Sequence, residues 1–274
     1  MKLLFAYDLD GTLLRKDNSL HPNTKDALRK VQQAGHYNVI ATGRGLLKVL
    51  PLLDKKIIEH VDFLVCSNGA VVYDVKNQTT KVLNTVPNSV FYILKDLALK
   101  NDLILTVDTP DYNGSYLPNN EFPKWMSQTQ IMDMNILNIA TLEKLEQVVL
   151  NKDNTITQIA LRNPLDHAKA ITDEVREATE NLACEVYLTN SIYTDVNPVN
   201  ISKFSGVKEV LDELKLTPQS LVAFGDSGND IEMITAANVG IAVGNATEEA
   251  KKSADRVIGD HETDAIGQEL LTFI

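Results

Sequence analysis

The sequence predicts an α/β protein: a Rossmann-like parallel sheet with helices on both faces, plus an inserted α+β domain. Three observations support this fold class. Strand and helix patterns alternate over residues 3–66, the short runs at 3–7 and 221–224 are apolar throughout, and polar, glycine-containing loops follow them. Uninterrupted apolar strands are typical of parallel sheets buried on both faces. Strands that alternate with helices favour right-handed βαβ units.

The elements of the first part follow in order. We expect strands at residues 3–8, 37–42 and 62–66, and helices at residues 22–34 and 46–53. Pro22 and Gly35 stand at the two ends of the first helix, where proline and glycine are favoured. Residues 71–73 and 81–83 flank a polar stretch and predict a hairpin.

The pattern changes near residue 84. Helices are expected at residues 89–100, 142–150 and 166–180, strands at 103–107, 155–161 and 184–188, and an irregular loop at 109–127. The α/β pattern then resumes with a helix at 203–214 and strands at 221–224 and 239–243. We therefore predict an inserted domain over residues 84–193 and a discontinuous core domain formed by residues 1–83 and 194–274.

Composition limits the classes of partner. The formal net charge is −11, with 26 Lys plus Arg against 37 Asp plus Glu, which disfavours nucleic acids and anionic membranes as partners. The two cysteines, Cys66 and Cys184, do not suggest a disulfide framework. Asp8 interrupts the N-terminal apolar run too early for a signal-peptide core, and no segment has the apolar length of a membrane span. We expect a cytoplasmic protein.

Two carboxylates, Asp8 and Asp10, stand where the first predicted strand ends, and Gly11-Thr12 follows them. Ligands of such sheets bind beyond the carboxyl ends of the strands. There, one carboxylate can attack while the other donates a proton, and a divalent cation between them screens their repulsion. A solvated acidic turn is the alternative interpretation of this pair alone.

Three further motifs lie at strand ends or helix starts. Thr42-Gly43-Arg44 offers a hydroxyl and backbone N–H groups that can hold phosphate oxygens. The alternative is a plain strand-to-helix turn in which Thr42 caps the helix. Lys203 opens a helix, where its charge opposes the helix dipole; a phosphate ligand would explain it, and a surface lysine is the alternative. Residues 225–230 (Gly-Asp-Ser-Gly-Asn-Asp) place two aspartates four residues apart, a donor set suited to Mg²⁺.

The order of these four motifs resembles the haloacid dehalogenase-like phosphatases, in particular their Cof-type subfamily with a C2-type cap domain. The resemblance covers nearly the whole chain and includes Ser67-Asn68-Gly69-Ala70. The chain departs from the family's pattern after Lys203, where Phe204 replaces the usual glycine and the next glycine is Gly206. We expect the lysine to keep its chemistry while the local backbone contact differs.

The resemblance implies a Mg²⁺-dependent phosphatase that hydrolyses small phosphomonoesters, such as sugar phosphates, through an aspartyl-phosphate intermediate. Asp8 would be the nucleophile and Asp10 the general acid and base. The implied metal ligands are Asp8, the main-chain carbonyl of Asp10, and Asp226, with Asp230 supporting the metal or its waters. The implied phosphate and substrate ligands are Thr42, Gly43, Arg44, Asn68, Lys203 and Asn229.

Two alternatives stay open at the level of sequence. A phosphomutase or other phosphotransferase on the same scaffold would need an acceptor hydroxyl that outcompetes water. A non-catalytic, sugar-phosphate-binding regulatory protein would have no need of both Asp8 and Asp10. In each case the expected partner is a small phosphorylated metabolite, and the sequence does not indicate the oligomeric state.

Overall fold

The computed structural model describes residues 2–126, 138–153, 155–189 and 191–274. The chain divides into two compact units: Met1–Leu83 with Ser202–Ile274, and the continuous stretch Asn84–Ile201. Among the described residues, no helix has both the length and the apolar character needed to cross a membrane.

The elements, in chain order, are as follows. Up to residue 83 they are β1 (Leu4–Tyr7), α1 (Pro22–Gln33), β2 (Tyr37–Ala41), α2 (Leu46–Asp54), β3 (Phe63–Cys66), β4 (Val71–Asp74) and β5 (Thr79–Val82). The second unit contains α3 (Ser89–Asn101), β6 (Ile104–Asp108), β7 (Asn113–Tyr116), α4 (Leu142–Leu150), β8 (Gln158–Arg162), α5 (Ala168–Thr179), β9 (Cys184–Thr189) and β10 (Tyr193–Pro198). The last part contains α6 (Lys203–Glu213), β11 (Leu221–Gly225), α7 (Ile231–Ala236), β12 (Val239–Ala242), α8 (Glu248–Ser253), β13 (Arg256–Val257) and α9 (Ala265–Leu270).

The first unit is built on an eight-stranded sheet with the order β13-β12-β11-β1-β2-β3-β4-β5. Pairing is parallel from β13 to β3 and antiparallel through the hairpin of β4 and β5. All four residues of the central strand β1 are fully buried. On one face Leu4 and Ala6 belong to the core formed with α6, and on the other Phe5 contacts Phe273, which follows α9. The predicted α/β fold class is confirmed, and the carboxyl ends of β1, β2, β3 and β11 meet at one edge.

The second unit is an antiparallel sheet of order β7-β6-β8-β10-β9, with helices α3, α4 and α5 sharing its apolar core. Two of its strands differ from the sequence-based expectation. β7 lies within residues 109–127, which we expected to be irregular, and β10 was not expected at all. Because β10 pairs with β8 and β9, the second unit extends to residue 201, beyond the predicted boundary at 193.

The physical reason is the polarity of these two strands. β7 has the sequence Asn-Gly-Ser-Tyr and β10 the sequence Tyr-Thr-Asp-Val-Asn-Pro, and glycine, asparagine, aspartate and proline are all depleted in strands. Pairing with neighbouring strands of the sheet nevertheless holds them in register: Ser115 of β7 lies opposite Thr106 of β6, and the two hydroxyls are hydrogen-bonded at 2.9 Å. Tertiary pairing therefore overrides local propensity at both strands.

Candidate active site

The sequence-predicted motifs of the first unit lie where neighbouring parallel strands end. Asp8 follows β1, Thr42 follows β2 and Asp226 follows β11. The backbone continues the sheet beyond the strands, because Asp8 donates its N–H to the Phe224 carbonyl at 2.9 Å and Thr42 donates to Val65 at 2.8 Å. Asp8 and Thr42 are thus fixed by the sheet itself.

A buried group of three charges is centred on Lys203. Its Nζ lies 2.5 Å from Asp8 Oδ1 and 2.7 Å from Asp230 Oδ1, and the side chains are only 1%, 6% and 0% exposed in that order. Burial opposes the charge of Lys203, but Asp230 and Asp8 outweigh it, so the pKa of this lysine is raised. The surface-lysine alternative is therefore excluded by the structure.

Lys203 reaches this position because α6 begins against the turn after β3. Ser202 caps the helix in a reciprocal pair of hydrogen bonds with Ser205. Gly69 has φ +108°, and a Cβ there would lie 1.9 Å from the Ser202 carbonyl oxygen; one at Gly206 would lie 2.4 Å from a methyl of Val65. Glycine is thus required three residues after the lysine, where α6 lies against the turn after β3.

Three carboxylates form the candidate metal centre. Asp8, Asp226 and Asp230 each offer an oxygen, and these oxygens lie within 4.8 Å of one another. Burial and the charges of Asp230 and Asp226 raise the pKa of Asp8, against the effect of Lys203, and burial with Asp230 raises that of Asp226. One ammonium does not balance three carboxylates, and hard oxygen donors are the ligands of Mg²⁺. The donor set therefore fits a divalent cation.

Asp230 also has a structural task within this group. Its Oδ2 accepts the backbone N–H groups of Asp226 and Ser227, each at 3.0 Å, while Oδ1 accepts from Lys203. A Cβ at Gly225 would lie 2.4 Å from Asp230 Cβ, so the loop closes tightly only with glycine there. The Ser227 hydroxyl also donates to Oδ2, at 3.4 Å. With four hydrogen bonds on its two oxygens, Asp230 holds the loop and the lysine in place.

Asp10 lies outside the three-carboxylate group and pairs with Arg44. Arg44 Nε donates to Asp10 Oδ2 at 2.8 Å and Nη2 to Oδ1 at 2.5 Å, a two-point pair of planar groups. Nη2 also donates to Asn18 at 3.2 Å. The backbone fixes Arg44 on both sides, since its N–H donates to Thr42 Oγ1 and its carbonyl accepts from Ser67. Arg44, expected as a substrate ligand, contacts the expected general acid.

The remaining candidates cluster at the turn after β3. Asn229 Nδ2 donates to Asn68 Oδ1 at 2.9 Å. The Asn68 side chain also lies close to Gly43, since a Cβ at Gly43 would be 3.2 Å from Asn68 Oδ1. Asn68 has φ 51° and Ser67 has φ 49°, left-handed values that cost free energy in residues other than glycine and that concentrate at functional sites. The structure therefore brings Gly43, Asn68 and Asn229 together.

Sequence reasoning missed three residues that support this site. Thr12 Oγ1 donates to Asp226 Oδ1 at 2.8 Å, Asn18 contacts Arg44, and Asn245 Nδ2 donates to the Gly11 carbonyl at 2.7 Å. Thr12 belongs to the Asp-x-Asp-Gly-Thr motif, so its position carried a signal. The other two are asparagines in polar loops, and no spacing in the sequence distinguishes them.

Known proteins resemble this chain in both sequence and fold. A family model for haloacid dehalogenase-like hydrolases matches residues 5–270. The pyridoxal phosphate phosphatase of Escherichia coli K12 is 28% identical over 273 residues, covering 97% of this chain and 96% of that protein. A 5-amino-6-(5-phospho-D-ribitylamino)uracil phosphatase of Bacillus subtilis 168 is 27% identical over 270 residues, covering 97% and 94%. A haloacid dehalogenase-like hydrolase from Bacteroides thetaiotaomicron shares the fold, with a TM-score of 0.83 at 20% identity and full coverage of both chains.

Proposed function

The chain belongs to the haloacid dehalogenase-like hydrolases, and from that membership we propose that it is a Mg²⁺-dependent phosphatase of small phosphomonoesters that works through an aspartyl phosphate. The observation that carries the proposal is the buried group of Asp8, Lys203 and Asp230 beside Asp226. Relatives named as phosphatases of small phosphorylated compounds, similar over nearly their whole length, support the reaction class.

Asp8, the main-chain carbonyl of Asp10 and Asp226 would hold the metal ion, with Asp230 supporting this set. When bound, Mg²⁺ supplies positive charge that attracts a phosphate and stabilises the charge of its transition state. The chain itself supplies Lys203 as a second positive charge at the nucleophile. Two cations beside one carboxylate explain how a protein of net charge −11 would bind a dianionic ester.

In the first step an oxygen of Asp8 attacks phosphorus, the bond from phosphorus to the leaving oxygen breaks, and Asp10 gives its proton to that oxygen. In the second step Asp10 takes a proton from water, the water oxygen attacks phosphorus, and the bond to Asp8 breaks to release inorganic phosphate. Dividing one difficult displacement into two is the advantage of a covalent nucleophile. Arg44 would keep the Asp10 carboxylate oriented for both proton transfers.

The phosphoryl oxygens would be held by Lys203, the Thr42 hydroxyl, the backbone N–H groups near Gly43, and the amides of Asn68 and Asn229. Fixed donors of this kind stabilise developing charge without reorganising at the moment of reaction. We further propose that the second unit is the C2-type cap and selects the leaving group.

The test is release of inorganic phosphate from a panel of phosphorylated metabolites, with and without Mg²⁺. Asp8→Asn should abolish turnover, since the amide is not a nucleophile for phosphorus. Asp17→Asn is the matched control, because Asp17 belongs to the following loop and its side chain is 65% exposed. Full activity of Asp8→Asn, or isomerised ester in place of free phosphate, would contradict the proposal.

A further inference from the structure

The sheet of the second unit has two faces of opposite character. Alternate residues of its strands, including Leu105, Val107, Ile159 and Leu161, pack into the apolar core beneath the helices. Their neighbours in sequence share the other face, as the register pairs Thr106 with Ala160, Asp108 with Gln158, and Asp195 with Ala160. The second face is polar.

This polar face is nevertheless buried. An antiparallel sheet packed on one side usually exposes its polar side to water, yet Gln158 is 3% and Arg162 5% exposed. Thr106, Asp108 and Asp195 on the same face are also buried. Long polar side chains are rarely buried without partners to compensate their lost hydration.

Two side chains of β8 have donors that remain unpartnered. Among the described residues, Arg162 Nε and Nη2 and Gln158 Nε2 are buried and have no hydrogen-bond partner. Within the residues that the structure describes, no carboxylate forms an ion pair with Arg162, whereas Arg44 forms one with Asp10. A buried guanidinium without an anion is costly, and the cost is offset when a carboxylate or phosphate accepts two of its N–H groups.

The arrangement suits a small ligand. The Arg162 guanidinium lies over the Tyr193 ring, 5.5 Å from its centroid, which orients the planar group. Gln158 is four residues away, roughly 13 Å along the strand, and the small side chain of Ala160 lies between them. The face therefore offers a charged donor and an amide donor on the same strand, with only a methyl group between them.

We propose that this face of the second unit binds an anionic oxygen group, a carboxylate or a phosphate, through Arg162, with Gln158 donating to a second oxygen of the same ligand. The anion has two sources: a free metabolite, or a second charged group carried by the substrate. The proposal goes beyond the phosphatase activity, because it needs only that the second unit binds an anion.

The first arm measures binding and needs no turnover. Gluconate, a carboxylate with hydroxyl groups and no phosphate, is titrated by calorimetry against the whole protein and Arg162→Met. Arg176→Met is the matched control, because Arg176 lies in the same unit, pairs with Asp173 and is 48% exposed. Free-anion binding predicts a saturable heat with wild type and Arg176→Met, and at least a tenfold weaker affinity with Arg162→Met.

The second arm compares glucose 6-phosphate with 6-phosphogluconate, which adds one carboxylate to the leaving group. If the anion belongs to the substrate, Arg162→Met should lower kcat/KM for 6-phosphogluconate at least tenfold, an effect typical of a lost charge-assisted pair. The kcat/KM for glucose 6-phosphate should fall less than about twofold. Absence of turnover by the wild type would count against the proposed function and leave the first arm to decide this site.

A stability measurement separates binding from a structural role. A binding arginine without a partner should be dispensable for folding, so Arg162→Met is expected to melt at the same or a higher temperature than wild type. Arg162→Lys, which keeps the charge but loses the two-point geometry, should retain part of the anion binding. The site is ruled out if Arg162→Met melts markedly lower, or if it matches wild type in both arms.

Discussion

Replacing Lys203 by methionine tests the charge balance at the centre of the site. The substitution keeps the length and bulk of the side chain and removes the charge that faces Asp8 and Asp230, both nearly fully buried. Removing one partner of a buried ion pair costs about 3–5 kcal/mol, because the remaining charge has lost its compensation. We therefore expect the melting temperature of the first unit to fall by roughly 6–20 °C.

Lys208→Met is the internal control, since Lys208 lies on the same helix and pairs with Asp212. That pair is exposed, with side-chain exposures of 55% and 58%, and pairs of this kind contribute about 0.2–1 kcal/mol. Thermal unfolding is followed by circular dichroism in EDTA, so that no divalent cation replaces the missing ammonium.

The loss of stability in Lys203→Met should depend on pH. Burial and the neighbouring carboxylates already raise the pKa of Asp8, and removing Lys203 raises it further. The folded variant therefore binds more protons than its unfolded chain, so its stability falls as pH rises. The deficit against wild type should be larger at pH 8 than at pH 5, and Lys203→Met/Asp230→Asn should recover part of it. Equal stability of Lys203→Met and Lys208→Met at pH 8 would refute the reasoning.

Three further outcomes are expected. Gly206→Ala should cost about 1–3 kcal/mol of unfolding free energy because its Cβ meets packed atoms, whereas Gly228→Ala, with nothing within 4 Å, should change urea unfolding little. Arg44→Lys should lower kcat/KM at least tenfold on alkyl phosphates and much less on aryl phosphates, because kcat/KM reports the first step, in which only the poor leaving group needs the proton from Asp10; equal losses in kcat/KM would return Arg44 to substrate binding. Burial lowers the pKa of His36, so unfolding free energy should fall as pH drops below about 6.5, and His36→Gln should flatten that slope.

The sequence predicts most of the first unit because the relevant signals are local. An apolar run followed by a polar glycine turn specifies both the strand and the chemistry at its end, as at Asp8 and Asp226. The pair of Asp10 and Arg44 could not be predicted, since it joins residues 34 positions apart through side-chain geometry. The sequence shows that residue 206 is a glycine, but not why. Glycine is needed there because α6 approaches Gly69 closely, and only the structure shows this approach.

The second unit was predicted less well for the same kind of reason. Its apolar elements, such as α4 and β6, follow recognisable periodicities. Its polar strands do not, because the side chains that face away from the apolar core are polar, and β7 and β10 therefore resemble loop sequences.

The interruption of the sheet by Asn84–Ile201 has a consequence during synthesis. The central strand β1 pairs with β11, whose first residue is Leu221, so Leu4 awaits a neighbour made more than 200 residues later. At about 5–20 residues per second, one edge of β1 remains open for roughly 10–40 s, while the uninterrupted Asn84–Ile201 stretch is synthesised in full before Leu221 is added. We expect Asn84–Ile201 to fold first, and the nascent N-terminal strands to be the stretch most prone to aggregate or to recruit chaperones.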